Sequence, residues 1–135
     1  MARHHRELEC WQLADRVRQV FIELTAREKV RRDFDFCDQT NRSCRSACRN
    51  LAEGFYRYLH PDFARFVNIA RSSPGELLDS TDEALEKRYI DEAEHRELNK
   101  LVHSALNSAG GLHEYLRSTP TPPRTKGRRP SGPRT

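Results

Sequence analysis

Residues 36–58, which read FCDQTNRSCRSACRNLAEGFYRY, decide the fold predicted for this chain. On a helix with about 100° per residue, one narrow stripe of this stretch holds Phe36, Thr40, Ser43, Ala47, Leu51, Gly54 and Tyr58. Directly beside that stripe lie Cys37, Cys44, Cys48 and Phe55. The small residues in the stripe would let a neighbouring backbone come close, as in antiparallel helix packing. The stretch therefore predicts a helix with one face in the core of a bundle.

The opposite face of the same predicted helix is basic. Arg42, Arg45 and Arg49 follow one another at helical spacing and span about 10 Å, enough to meet several phosphates. Arg31 and Arg32 add positive charge just before the helix. Phosphate contacts of this kind give affinity with little sequence specificity, so the face predicts binding of RNA or DNA. The alternative is a solvated face that is balanced by acidic residues of another subunit.

The stretch also carries a resemblance to a known family. Gln39, Arg42, Ala47 and the run Asn50-Leu51-Ala52-Glu53-Gly54-Phe55 resemble the second helix of a bacterial four-helix-bundle family. That family includes proteins encoded in intervening sequences of 23S ribosomal RNA genes and accessory variability proteins of diversity-generating retroelements. Further similar positions are Leu8-Glu9-Cys10-Trp11-Gln12, Phe63, Arg65, Phe66, Ala70, Ser73, Glu76 and Leu77. The resemblance covers about residues 7–117, and its motifs are structural rather than catalytic.

Within the family motif, Asn50, Glu53 and Arg57 share a flank between the core face and the basic face. A Glu53–Arg57 pair at spacing i,i+4 is expected to stabilise the helix by about 0.3–0.5 kcal/mol. Asn50 could bond a neighbouring helix or subunit. Because Asn50, Glu53 and Gly54 match the family's signature, we interpret them as residues of packing or assembly.

Length and composition fit one soluble helical domain. The chain has 135 residues, of which 33% are charged and 8% aromatic. It contains no apolar run of about eighteen residues that would predict a membrane span. Its first residues lack the apolar core of a signal peptide, which indicates a cytoplasmic protein.

Charge is divided unevenly along the chain. Residues 1–60 contain 12 basic and 9 acidic residues, residues 61–117 contain 7 and 11, and residues 118–135 contain 5 and none. Positive charge is therefore concentrated in the first half and in the last 18 residues. Such a distribution favours a polyanion on one face, or the association of like subunits.

Periodicity predicts three further helices. The first spans about residues 7–28, and the third begins at Pro61, where proline suits a first helical turn. Pro74 in its interior predicts a kink near residues 71–75. The fourth runs from the predicted N-cap Asp91 to about Arg117, and its Gly110-Gly111 pair suggests close contact with another helix.

Together these elements predict an all-α, up-and-down antiparallel four-helix bundle over residues 1–117. Residues 118–135 read STPTPPRTKGRRPSGPRT, which lacks apolar residues to bury and predicts a disordered basic tail.

The first helix has more apolar surface than one bundle seam requires. Its main stripe is Cys10, Leu13, Ala14, Val17, Val20, Phe21 and Leu24. Leu8, Trp11 and Ile22 lie elsewhere around the helix, so they are candidate oligomer-interface residues. Alternatively, Trp11 closes one end of the bundle. The family resemblance implies a homo-oligomer, with a pentameric barrel as the expected form.

Catalytic and metal sites are not indicated. The four cysteines form no CxxC pair, and three of them lie beside the core stripe as small apolar residues. Glu92-Ala93-Glu94-His95 is the single Glu-x-x-His match, whereas a di-iron bundle needs two. Neither an activated nucleophile nor a glycine-rich phosphate loop is recognisable. We therefore expect no enzyme activity, metal or cofactor.

Two functional hypotheses remain. The first is a non-enzymatic accessory protein that binds nucleic acid through the basic face, with a reverse transcriptase as a partner that the resemblance implies. The second is a protein-binding scaffold of the 23S rRNA intervening-sequence type with no direct role on nucleic acid. Neither hypothesis involves a membrane.

Overall fold

Five helices make up the fold of this computed structural model, which describes residues 2–123. A 3₁₀ turn at His5–Glu7 precedes helices α1 Glu9–Ala26, α2 Glu28–Arg31, α3 Phe34–Phe55, α4 His60–Glu86 and α5 Glu92–Ser118. Residues 2–123 contain no strand. None of these helices combines the length and the apolar character that crossing a bilayer requires.

The four long helices alternate in direction, as contacts at the two bundle ends show. At one end, His5 before α1 meets Tyr56 after α3, and His60 at the start of α4 meets Thr119 after α5. At the other end, the C-cap Arg27 of α1 pairs with Glu94 near the start of α5. Each helix packs between two antiparallel neighbours, in the order α1, α3, α4, α5 and back to α1. The predicted all-α bundle is confirmed.

The apolar stripe predicted for the second helix faces the core. Its members within α3, from Phe36 to Gly54, are all buried, and Thr40 is 0% exposed. The core forms two clusters along the bundle, one around Phe21 and Val102 and the other around Trp11 and Leu51. Tyr58, the last predicted member of the stripe, lies beyond the end of α3.

Gly54 fixes the close approach of α3 and α4. A Cβ atom on Gly54 would lie 2.8 Å from Phe66 Cβ and 3.0 Å from Phe63 Cδ1.

The expected close contact at Gly110-Gly111 is wrong, because a Cβ atom on either glycine would meet no atom within 4 Å in the described part of the chain.

The junction between α1 and α3 is ordered, although the sequence predicts no helix between residues 28 and 36. It contains the short helix α2, in which Val30 is fully buried. Asp33 then caps α3 by accepting a hydrogen bond from the Phe36 N–H at 3.2 Å. The helix consequently begins at Phe34, two residues before its predicted start.

Helix α4 continues through Pro74 without ending there, and Pro74 is buried. Its start fits the expected place of Pro61 in the first turn. At the start of α5, the predicted cap is present: Asp91 accepts a bond from the Glu94 N–H at 2.8 Å, and the Glu94 side chain bonds the Asp91 N–H in return.

The first residues of the predicted tail are part of the fold. Ser118 is the last residue of α5, and the chain then runs against the connection between α3 and α4. The His60 N–H donates to Thr121 Oγ1 at 2.9 Å, and the Tyr58 hydroxyl donates to the Pro122 carbonyl. Residues 119–122 are thus in contact with the connection between α3 and α4, just after the predicted end of the bundle at residue 117. The rest of the predicted disordered tail, residues 124–135, lies outside the described residues.

Candidate nucleic-acid interface

Burial of one face of α3 turns its arginines outward. Arg42, Arg45 and Arg49 are all exposed. Arg42 Nη2 lies 2.7 Å from Asp38 Oδ2, but its side chain is 76% exposed, so the pair is a weak surface interaction. Within residues 2–123, Arg45 and Arg49 form no ion pair. Their charges are therefore available to a ligand.

These three arginines line one side of an open groove of ≈ 1070 Å³. The remaining lining residues are His4, His5, Ser46, Asn50, Ala52, Glu53, Tyr56, Arg57 and Phe66. The groove thus combines four arginines with a single glutamate, and its walls come from the N-terminal turn, α3 and α4. The positive electrostatic potential of these side chains favours the binding of an anion. We call this surface the basic groove.

Two of the three family-motif residues, Asn50 and Glu53, line the basic groove. Asn50 Nδ2 donates to the Ser46 carbonyl at 2.9 Å, so Asn50 bonds its own helix rather than a neighbouring helix. Glu53 Oε2 lies 3.1 Å from Arg57 Nη2, which is the expected i,i+4 pair. Gly54 faces the opposite way, against α4.

Aromatic side chains at one end of the basic groove are held by neighbours. The guanidinium carbons of Arg57 and Arg65 lie 4.9 and 4.7 Å from the Phe66 ring centroid. Tyr56 Oη lies 3.0 Å from His5 Nδ1. Burial, with help from the nearby charges of His4 and Arg6, lowers the pKa of His5. His5 therefore carries less positive charge at a given pH than an unperturbed histidine would.

Sequence reasoning did not find His4, His5, Arg57 or Phe66 as groove residues. For His4, His5 and Phe66, the approach to α3 depends on contacts between distant segments, which helical spacing does not reveal. Arg57 did have a signal, because it directly continues the helix that carries the arginines, and Tyr56 lies seven residues after Arg49, on the arginine face.

The structure does not bring Arg31 and Arg32 into the basic groove. Arg31 ends α2 and Arg32 is its C-cap residue. Both are exposed, and Arg32 Nη2 lies 3.2 Å from Glu28 Oε1. Neither residue lines the groove, so a shared site would require a ligand that extends beyond it.

The three candidate interface residues lie in different surroundings. Trp11 is 9% exposed within the chain itself and belongs to a core cluster, against which half-buried Leu8 packs. This placement agrees with the alternative that Trp11 closes one bundle end. Ile22 is 47% exposed and remains available to a second subunit. Val20 was expected in the core, but it is 39% exposed, so that expectation is wrong.

Three of the four cysteines, Cys10, Cys44 and Cys48, are buried. Burial raises the pKa of Cys10 and Cys48 to about 11 and that of Cys44 to about 12. These thiols stay protonated at neutral pH, whereas the thiolate is the reactive form. Residues 2–123 contain no group of three or more His, Cys, Asp or Glu residues that could hold a metal ion.

Four alternating helices with a basic groove along α3 define a helical-bundle protein whose most distinctive surface is cationic. The chain belongs to the 23S rRNA-intervening sequence protein family, whose sequence model matches residues 6–109. The match includes the groove-lining residues from Arg42 to Phe66, but not His4 and His5, and it confirms the family resemblance that the α3 motif indicated. Among curated proteins, none matches the chain.

Proposed function

We propose that this chain is a non-enzymatic accessory protein that binds RNA or DNA through the basic groove, without sequence preference. The observation that carries the proposal is the cluster of four arginines against one glutamate, with Arg45 and Arg49 unpaired within residues 2–123. Arginine suits phosphate because its planar guanidinium donates two parallel hydrogen bonds. Affinity of this origin arises largely from counterion release, so it falls steeply as salt rises.

The test is a triple variant, Arg42→Ala, Arg45→Ala and Arg49→Ala, with fluorescently labelled RNA and DNA at several salt concentrations. We expect weaker binding to every sequence alike. If each arginine meets one phosphate of a single strand, the slope of log affinity against log salt becomes shallower by about 2.

A matched control removes the same charge elsewhere. Arg88, Arg96 and Arg117 are exposed residues that lie outside the basic groove and outside the groove between α1 and α5. Their triple alanine variant should bind almost as well as the original chain. Equal losses in the two variants would mean that net charge, not the groove, determines binding. A chain ended at Pro123 separates any contribution of residues 124–135 from that of the groove.

We further propose a homo-oligomer, with the pentamer as the expected form. The support is the family resemblance together with the exposed apolar residues Val20 and Ile22 on α1.

A reverse transcriptase is proposed as a partner because the chain resembles retroelement accessory proteins. A neighbouring reverse-transcriptase gene with a template repeat would support that role, whereas insertion within a ribosomal RNA gene would oppose it.

A second candidate is a protein-binding scaffold without a nucleic-acid role. It is favoured by a groove of ≈ 670 Å³ between α1 and α5, whose lining includes Leu13, Leu24 and Leu101 as well as residues of both charge signs. Such a mixed lining suits a protein partner better than a polyanion. Absence of RNA and DNA binding at low salt by a well-folded chain would favour this scaffold.

A further inference from the structure

We propose that the basic row of α3 takes single-stranded rather than double-stranded nucleic acid, with Phe34 as a stacking platform for an unpaired base. This inference rests on the proposed nucleic-acid binding and specifies its substrate class. It starts from Phe34, the first residue of α3, which follows the N-cap Asp33.

Phe34 is 80% exposed, more than any other large apolar side chain in residues 2–123. Its ring contacts no other aromatic ring in that part of the chain. Single exposed apolar residues are common and by themselves indicate nothing. Phe34 differs from such isolated residues because it lies next to the arginines of α3.

Phe34 continues the arginine row along the surface of α3. At about 100° per residue, Phe34, Arg45, Arg49 and Arg42 fall within an arc of about 80°. Phe34 also shares a shallow concavity with Arg42 and Arg45, and both of these arginines line the basic groove. The surface is therefore continuous along the 22 residues of α3, a length of about 33 Å.

Two acidic residues lie beside this row. Asp38 lies between Phe34 and Arg42 on the same face, and its Oδ2 atom is 2.7 Å from Arg42 Nη2. Asp35 is exposed and lines the concavity next to Phe34. The three arginines of the row still outnumber the two carboxylates. A backbone that follows the row would meet phosphate-binding groups next to an exposed π-face.

That combination distinguishes single strands from duplexes. In a duplex the bases are stacked on one another, and an exposed phenylalanine gains nothing from the backbone. An unpaired base can instead stack on the ring while arginines hold the adjoining phosphates, as in proteins that bind single strands without sequence preference. Phe66 is less suited to this role, because Arg57 and Arg65 already lie against its ring.

The experiment compares Phe34→Leu with the original chain on matched single-stranded and duplex oligonucleotides, both RNA and DNA. Leucine keeps an apolar side chain but removes the π-face. We expect single-strand affinity to fall about fivefold or more, while duplex affinity is unchanged. A 2-aminopurine base in the single strand should be quenched by the original chain and by Phe34→Tyr, but much less by Phe34→Leu.

Tyr115→Leu is the matched control, because Tyr115 is an exposed aromatic residue of α5 outside the row. It should leave both affinities unchanged. Equal single-strand affinity for the original chain and Phe34→Leu would overturn the inference, as would equal losses on single strands and duplexes. A change of mass in solution in Phe34→Leu would assign Phe34 to a subunit contact instead.

Failure of the proposed function has a different signature. If the original chain binds neither single strands nor duplexes at low salt, both the function and this inference fail. If the arginine triple variant loses binding to both substrates while Phe34→Leu changes neither, the function stands and the stacking role is wrong.

Discussion

Gly54 lies so close to α4 that there is no room for the Cβ atom that any other residue would carry. A Cβ atom there would lie 2.8 Å from Phe66 Cβ, an atom next to the backbone that cannot rotate away. The glycine is therefore required by packing, although it lowers helix propensity by about 1 kcal/mol relative to alanine.

We predict that Gly54→Ala destabilises the fold by about 1–3 kcal/mol, because the cost of overpacking exceeds the gain in helix propensity. Urea unfolding followed by circular dichroism measures the change. Gly111→Ala is the control, since a methyl group there meets no described atom within 4 Å. It should stabilise α5 by up to about 1 kcal/mol. Stabilisation of the fold by Gly54→Ala would contradict the packing argument.

Asp33 lies in the connection before α3 and bonds two residues of the connection between α4 and α5. Besides capping α3, its Oδ2 atom accepts hydrogen bonds from Lys87 Nζ at 2.8 Å and from the Tyr89 hydroxyl at 2.7 Å. These two bonds, with a smaller contribution from the Phe36 N–H, lower the pKa of Asp33 to about 2. The carboxylate thus ties the start of α3 to the chain that follows α4.

This pKa predicts a loss of stability in acid. The folded value lies below the ordinary value of 3.8, so the stabilisation is complete above about pH 4 and is lost as pH falls toward 2. Asp33→Asn keeps a capping side chain but removes the charge. We expect it to be about 1 kcal/mol less stable than the original chain at pH 7, with a difference that shrinks below about pH 4. Urea unfolding over a pH series measures this.

Asp79→Asn, at a position of α4, controls for the removal of one surface carboxylate. The prediction for Asp33 would be wrong if the stability difference between Asp33→Asn and the original chain were the same at neutral pH and at the acid end of the series.

Among the elements, α4 is unusual because its N-terminal group is satisfied from far along the chain. Its N-cap residue, Leu59, offers no side-chain hydrogen bond. The His60 N–H instead donates to Thr121 Oγ1, and His60 Nδ1 donates to the Thr119 carbonyl at 2.7 Å. The segment after α5 therefore satisfies a backbone N–H at the start of α4 that a local helix cap would normally satisfy.

Removing that hydroxyl should destabilise the start of α4. We predict that Thr121→Val costs about 0.5–1.5 kcal/mol of folding free energy, because the His60 N–H loses its partner. Thr121→Ser keeps the hydroxyl and should be nearly neutral. Hydrogen exchange at the His60 amide gives a local measurement, and unchanged protection in Thr121→Val would show that this bond does not contribute.

The long helices could be predicted from the sequence because their signals are local. The stripe from Phe36 to Gly54 is buried as its periodicity indicates, and Asp91 caps α5 through residues three positions apart. The arginine row follows from the same spacing. It is exposed because its helix has only one apolar side.

The features that sequence did not reveal depend on contacts between distant segments. Val30 carries no periodic signal in its charged surroundings, yet three-dimensional packing buries it completely. The docking of Thr121 on His60 joins residues 61 positions apart. Val20 has the spacing of a core residue, but it lies at the edge where α1 meets α5, and no element within residues 2–123 covers it fully.

For the whole molecule, the exposed apolar residues of α1 are the surface proposed for assembly. Val20 is 39% exposed and Ile22 47% exposed, and they lie about 200° apart around a helix that already packs between two neighbours. The groove beside Val20 is lined by Arg16 and Lys100 as well as by Glu23 and Glu97. Apolar contact and complementary charge are thus both available to a second copy.

We predict that Val20→Glu with Ile22→Glu dissociates the proposed homo-oligomer into chains of 15.8 kDa, as measured by light scattering after size exclusion. Nucleic-acid affinity should fall with it, although the basic groove is intact, because linked copies bind with a gain of multivalency. Ile69→Glu, at a 43% exposed position of α4, is the control and should keep both mass and affinity. A mass of 15.8 kDa for the original chain would rule out the oligomer, and binding would then depend on one basic groove alone.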